Sequence, residues 1–244
     1  MFKEFFLAVV YNPLYNGLVF LIDVVPLADV GIAVIILTLA VKFILFPLTR
    51  GAIRSQALMN AIKPDLDLIR DTHKDDRQEQ ARQTMALYKE KGIHPFSVIV
   101  PLFIQIPIIF GLYWVFLKGG LPNVNVDVLY SFIPVPTNVN MHFLGQIDMA
   151  GKSIILALLA GATQFLHARL SMPKLSAVSG ERSFKDDLAK SFQFQMRYVF
   201  PVMVAIIAYT ISAAVALYWL TSNVFSIGQE ILVRRTLGEH KKLL

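Results

Sequence analysis

The sequence predicts an all-α polytopic membrane protein with five transmembrane helices. Composition, the length of the uncharged stretches and the placement of basic residues between them predict it. Of 244 residues, 55% are hydrophobic and only 16% charged, too apolar for one ordinary soluble domain. Val30 to Leu48 carries a single charge, Lys42, while Pro95 to Leu117 has none and Tyr198 to Gln229 runs 32 residues without one. Nineteen helical residues reach about 28 Å, close to the hydrocarbon thickness of a bilayer. Nine Lys and Arg residues fall in Arg50–Lys91, six in Arg169–Arg197 and four in Arg234–Lys242; Lys3, Lys42, Lys118 and Lys152 complete the 23. The positive-inside rule assigns those three rich segments to the cytoplasm. The net charge of +6 therefore belongs to topology, and no specific nucleic-acid sequence is expected as a partner.

The elements follow in order. Residues 1–29 are interrupted by Asn12, Pro13, Asn16, Gly17, Asp23 and Pro26. They read as an extracytoplasmic interfacial helix that dips Leu14, Leu18, Phe20 and Leu21 into lipid. The alternative is a crossing over residues 5–25, which would move the N-terminus to the other side. Residues 30–50 are the first transmembrane helix. Residues 51–94 form a cytoplasmic helical hairpin, with helices over Ala52–Arg70 and Asp75–Glu90 and a polar turn over Asp71–Asp76. Leu58, Ile62, Leu66 and Ile69 recur at helical spacing in the first of them.

Residues 95–117 are the second transmembrane helix, with Pro101 and Pro107 tolerated where neighbours satisfy the freed carbonyls. An extracytoplasmic loop, 118–152, and a third crossing, 153–169, come next, followed by a cytoplasmic loop, 170–197. One helix over the last uncharged stretch would be about 48 Å long, too long without strong tilt. The chain must also leave and return between Arg197 and Arg234. Residues 198–233 are therefore the fourth and fifth transmembrane helices, a short hairpin turning near Tyr209–Ala213. Residues 234–244 are a basic cytoplasmic tail.

Several classes of chemistry are excluded. The chain has no cysteine, which removes disulfides, thiol catalysis, thiolate metal sites and a lipid-modified cysteine. His167 has no Asp or Glu at ligand spacing, so no metal is expected. No phosphate-binding glycine loop, paired intramembrane carboxylates or nucleophile–base pair occurs, and the chain reads as no enzyme and as needing no cofactor. FFLAVV behind Lys3 lacks a small-residue cleavage site and is not read as a signal peptide.

What remains is Lys42. It lies about 12 Å of helix from Arg50, deep enough to face a bundle interior or a watery cavity. Snorkelling to the headgroups is the alternative. Thr38 lies one turn away on the same face. No Asp or Glu stands inside any predicted span, Glu230 being at the end of the last, so Lys42 has no acidic partner built in. Thr38, Gln105, Ser212, Thr221, Ser222 and Asn223 are the residues able to hydrate a cavity, although each alone serves equally as a helix-packing residue.

Three ordered blocks carry a family resemblance: LTLAVKFILFPLT, then MALYKEKGIHPFSVIVPLFIQIPIIFGLYW, then ALYWLTSNVFSIGQE. Over about residues 10–235 the chain resembles the YidC/Oxa/Alb membrane protein insertases. The resemblance implies five helices around a hydrophilic groove, open to cytoplasm and lipid and closed toward the outside. Lys42 would stand in that groove where the family usually has arginine, keeping the charge without the planar fork of donors. Tyr218 and Trp219 match an aromatic pair beside the groove; without the resemblance they read equally as lipid-facing aromatics. The implied substrate groove is thus Lys42, Thr38, Gln105, Tyr218, Trp219, Ser222 and Asn223.

The implied function is that of a membrane protein insertase and chaperone in the bacterial plasma (inner) membrane, N-terminus outside and C-terminus cytoplasmic. Its partners would be nascent membrane proteins and the lipid bilayer, with the Sec translocon and the ribosome left open. A small solute transporter or a structural scaffold is the alternative class. The large extracytoplasmic domain of many family members, and the lipoprotein cysteine of many short ones, have no counterpart in these residues.

Overall fold

The computed structural model describes residues 2–98, 100–119, 121–172 and 191–240. Much of the expected cytoplasmic loop, 173–190, and the last tail residues, 241–244, lie outside the described residues. In chain order the described helices are α1 (Lys3–Val24), α2 (Val30–Ala61), α3 (Lys63–Thr72), α4 (Arg77–Glu90), α5 (Val100–Lys118), α6 (Ile154–Ser171), α7 (Ser191–Ile211) and α8 (Ala213–His240). By length and composition α1, α2, α6 and α7 can each cross a membrane, and α5 holds a shorter apolar stretch, Phe103–Phe116. The protein is an all-α polytopic membrane protein. Its residues divide between two compact units, Met1–Ile44 with Gln105–Ile227 and Leu45–Ile104 with Gly228–Leu244.

In the first unit, α1 and α7 accommodate a proline in the same way. A π-turn, Leu7–Tyr11 ahead of Pro13 and Gln195–Val199 ahead of Pro201, lets Asn12 N–H bond Leu7 O and Phe200 N–H bond Gln195 O. The wider turn gives room to a ring that would clash with a regular helix. Tyr15, Leu18, Val19 and Ile22 of α1, Val30 and Val34 of α2, Val115, Val204 and Met149 form the core with the alanines at the start of α8. Where helices meet in a bilayer, close fit rather than water exclusion drives packing. The contact of α6 with α7 illustrates it: a Cβ on Gly161 would lie 2.8 Å from Ala205 Cβ and 3.1 Å from Pro201 O.

The surface of α1 differs from the sequence reading. Leu14 and Leu18 are buried, Leu21 is half-buried, and the exposed apolar side chains are Phe5, Val9, Phe20 and Val24. Asn16 is buried as well, but it is fully engaged. Its Nδ2 donates to Asn12 O (2.8 Å) and Val128 O (2.9 Å), and its Oδ1 accepts from Tyr130 N (2.7 Å). An asparagine satisfied in this way carries little of the burial penalty that its sequence position suggests.

The loop between α5 and α6 is anchored by side chains in the same manner. Tyr15 OH donates to Gly119 O (2.9 Å) and accepts from Asn125 N (2.8 Å). Strands β1 (His142–Phe143) and β2 (Ile147–Asp148) pair antiparallel, His142 with Asp148 and Phe143 with Ile147. Ala213 and Ala214, whose N–H groups have no partner within α8, donate to Gly151 O (2.8 Å) and Met149 O (3.1 Å). The chain passes from α7 to α8 through one extended residue, Ser212.

In the second unit the α2 helix does not stop at Arg50. It continues to Ala61, and the next helix begins at Lys63 rather than Ala52. The break at Ile62 precedes Pro64, which lacks the N–H that would bond a carbonyl four residues earlier. Asp76 caps α4, its Oδ1 accepting from Gln78 N (3.0 Å) and Glu79 N (2.9 Å). Gly92, at φ +62°, closes α4. Its N–H bonds Lys89 O (3.2 Å) and that of Ile93 bonds Tyr88 O (2.8 Å), the two bonds of a Schellman cap.

Candidate functional site

The helix α8 organises the polar residues of the first unit. Tyr218, Ser222 and Ser226 recur every four residues, so they line one stripe of that helix. Lys42 reaches the stripe from α2, its Nζ donating to Ser226 Oγ at 3.2 Å. Gln105 reaches it from α5, its Nε2 donating to the Tyr218 hydroxyl, which also hydrogen-bonds Ser222. Among the described residues Lys42 makes no ion pair. Lys42 and Gln105 are half-buried, whereas Tyr218 and Ser222 are buried.

Other predicted residues do different work. The Thr38 hydroxyl is buried and donates to Val34 O at 2.6 Å, so it is spent within its own helix. Asn223 faces α6, its Nδ2 donating to Ala160 O and Thr163 Oγ1, both at 3.3 Å. Trp219 is buried in the core. Seven predicted residues thus divide into a stripe (Lys42, Gln105, Tyr218, Ser222) and packing positions (Thr38, Asn223, Trp219). Ser226 is the member the sequence reading missed. The signal was available, since it continues the spacing of Tyr218 and Ser222 by one turn.

The stripe combines one cation with neutral hydroxyl and amide groups. It can hold water and attract negative charge. An ammonium carries three donors, and a single hydroxyl engages one of them. Beside it, Phe43 meets Phe225 edge-on at 5.1 Å while remaining largely exposed, so the charge lies next to apolar surface.

Residues 21–240 match the family model of the 60Kd inner membrane protein. The chain belongs to this family, that of YidC and Oxa. Among its curated relatives, the "Membrane protein insertase YidC" of Clostridium tetani (strain Massachusetts / E88) is 32% identical over 216 residues, covering 88% of this chain and 86% of that protein. The proteins of the same name from Francisella tularensis subsp. novicida (strain U112) and subsp. tularensis (strain WY96-3418) are each 30% identical over 213 residues, 87% of this chain. This chain covers 34% of each of those longer relatives. Family membership agrees with a multi-pass bacterial membrane protein.

Proposed function

We propose that the protein is a membrane protein insertase that moves hydrophilic segments of nascent membrane proteins along the stripe of Lys42, Gln105, Tyr218, Ser222 and Ser226 and releases their apolar segments into lipid. The observation that carries this reading is Lys42, a half-buried ammonium resting on one serine, with no carboxylate among its described partners. A cation so placed is stabilised by water or by a visiting anion. The acidic or polar part of an incoming chain supplies one, and hydration lowers the cost of carrying it across. No covalent step is involved.

In this reading α2, α5, α6, α7 and α8 are the five crossings around a hydrophilic groove, with the N-terminus outside and the C-terminus in the cytoplasm. The helix α1 is interfacial. Its placement is supported by where it touches its neighbours: Phe6 meets Trp114, a Cβ on Gly111 would meet Leu14 and Val10, and a Cβ on Gly17 would meet Leu37. All these contacts lie within the last eight residues of α5 or the first eight of α2. A helix about 33 Å long that ran parallel to them would extend well past those eight-residue stretches, each only about 12 Å long. The loop joined to Tyr15 and Asn16 exposes Asn125 and Asp127, residues that belong in headgroups rather than hydrocarbon.

The test is insertion by the purified protein in liposomes of a small single-span substrate with an acidic translocated tail. Lys42→Arg retains insertion, while Lys42→Ala and Lys42→Glu impair it, most for acidic tails. Equal activity of all three variants would remove Lys42 from the mechanism. Solute flux without insertion would favour a transporter. Topology is read separately by thiol labelling: Asn138→Cys reacts with an impermeant reagent from outside, and Ser183→Cys and Gly238→Cys do not. Deleting Ala57 to Lys89 tests the hairpin as a recruitment surface and leaves a folded protein that no longer inserts.

A further inference from the structure

Two leucines hold conformations that leucine rarely adopts. In the turn between α1 and α2, Leu27 has φ +60° and Ala28 φ +52°. Between β1 and β2, Leu144 has φ +51° and Gly145 φ +72°, and Gln146 N–H bonds Phe143 O at 3.1 Å. Two central residues with positive φ closed by that bond are the pattern of a type I′ turn, whose first central position favours Asn, Asp or Gly. A bulky residue there is an outlier. Both leucines are nevertheless among the most exposed large apolar side chains of the described residues, Leu27 at 82% and Leu144 at 67%. Neither packing nor turn chemistry accounts for a leucine at either place.

A single buried carboxylate brings the two turns together. Asp29 Oδ1 accepts from Gly31 N (2.7 Å) and Ile32 N (3.1 Å), capping α2, and its Oδ2 accepts from Leu144 N (2.9 Å). The main chain adds Asn140 N to Ala28 O and Val30 N to Asn140 O, both 3.0 Å. Phe143 packs closely on Gly31, where a Cβ would come within 2.3 Å of its ring. Leu144, the next residue, is thereby fixed on the turn that Asp29 ties to the one carrying Leu27.

We infer that Leu27 and Leu144, held together by Asp29 and flanked by Val24, form an apolar wedge seated in the lipid at the boundary of headgroups and acyl chains. Lipid is the occupant because the wedge continues the exposed apolar side of α1, through Phe20 and Val24. The five residues from Val25 to Asp29 also allow it to stand no more than about 17 Å from the ends of two apolar helices. Amphipathic elements at that depth bind by burying apolar area. The inference rests on the proposed interfacial placement of α1.

The experiment uses the full chain, which has no native cysteine to interfere. Leu144→Cys carries an environment-sensitive fluorophore, and the protein is reconstituted in phosphatidylethanolamine–phosphatidylglycerol vesicles whose acyl chains bear bromine near the carbonyl end. Quenching several-fold stronger than at Asn138→Cys is expected. Val24→Cys gives a second reporter if the first variant fails to fold. Quenching equal to that at Asn138→Cys, or a reporter shielded from both water and lipid, overturns the wedge. Phe20→Cys separates the two claims: strong quenching there with none at Leu144→Cys or Val24→Cys leaves α1 interfacial and removes the wedge alone. Leu144→Asn, which suits the turn better, is expected to keep the fold's thermal stability while weakening quenching at Val24→Cys; a purely structural Leu144 would leave that quenching unchanged.

Discussion

The loop-bearing end of the first unit and the stripe along α8 are both built from polar side chains within an apolar bundle, yet they treat those side chains in opposite ways. At the loop end Tyr15, Asn16 and Asp29 have their main hydrogen-bonding groups engaged by backbone from distant segments. Along the stripe, Lys42 leans on one hydroxyl and Gln105 on one phenol. Saturated polar groups fix a structure, because removing either partner strands the other in a dry place. Groups with unused donors remain available to something that arrives. The difference separates the groups that fix the structure from those that the proposed function uses, by bond counts rather than residue types.

The largest effect is therefore expected at the saturated end. Asp29→Ala strands three N–H groups, of Gly31, Ile32 and Leu144, and should lower stability by about 3 kcal/mol. Asp29→Asn keeps one acceptor but turns an amide donor toward a donor, and should fall between. Thermal unfolding in detergent measures both. A loss under about 1 kcal/mol for Asp29→Ala would mean that water already shares these bonds and that the end is less closed than its geometry suggests.

Lys42→Ala should show the reverse profile. Insertion of an acidic-tailed substrate should fall about tenfold, equivalent to about 1.4 kcal/mol, while the unfolding temperature stays close to that of the parent. Lys42 contributes little to cohesion, because the cost of desolvating a half-buried ammonium offsets its one charge-assisted hydrogen bond. A variant that loses stability and activity in parallel would place Lys42 among the structural groups and erase the contrast. Asn223→Ala sits between the two classes. Its two long bonds to α6 should be worth about 0.6 kcal/mol in a membrane setting, seen as a small fall in unfolding temperature with insertion retained.

The class and family of the protein are legible in the sequence because hydropathy and charge placement are global signals that survive local error. Residue roles were legible only where spacing or chemistry was unusual. Lys42 stands out as the one charge in its span, whereas Ser226 is marked only by continuing the spacing of Tyr218 and Ser222, and nothing in the sequence pairs it with a residue 184 positions away. Leu14 and Leu18 illustrate the opposite limit. An apolar side chain suits lipid and protein core equally, so hydropathy does not say which side of α1 faces which. The continuation of α2 to Ala61 was hidden by polarity: a charge at Arg50 marks a change of solvent and not the end of a helix. Ser212, where α7 gives way to α8, has neither proline nor glycine beside it and falls within Tyr209–Ala213, the region that the length of the uncharged stretch singles out.

The smallest expected effect concerns polar groups that are neither saturated in a core nor held in reserve, those on the exposed hairpin helix α4. Arg82 grips Glu79 through Nε and Nη2, both at 2.8 Å, and Gln83 adds a bond of 2.7 Å. These contacts, the Arg82 bond foremost, hold the Glu79 carboxyl down from 4.5 to about 2. A depressed carboxylate stabilises the folded state above its unfolded pKa and loses that contribution as pH falls through the folded value. The window here is therefore about pH 4.5 down to about 2. Because the pair is solvent-exposed, salt screens it and its worth to stability is slight. Carbon-13 NMR of the Glu79 carboxyl in the full chain should show a midpoint near the lower value at low salt, rising with added salt and rising further in Arg82→Ala. Asp29, closed off from solvent, should leave the stability of the loop end insensitive to the same salt. A Glu79 midpoint at 4.5 in the parent protein would show that the fork is not formed in solution, and equal salt sensitivity at both places would mean that the loop end is as open to water as the hairpin.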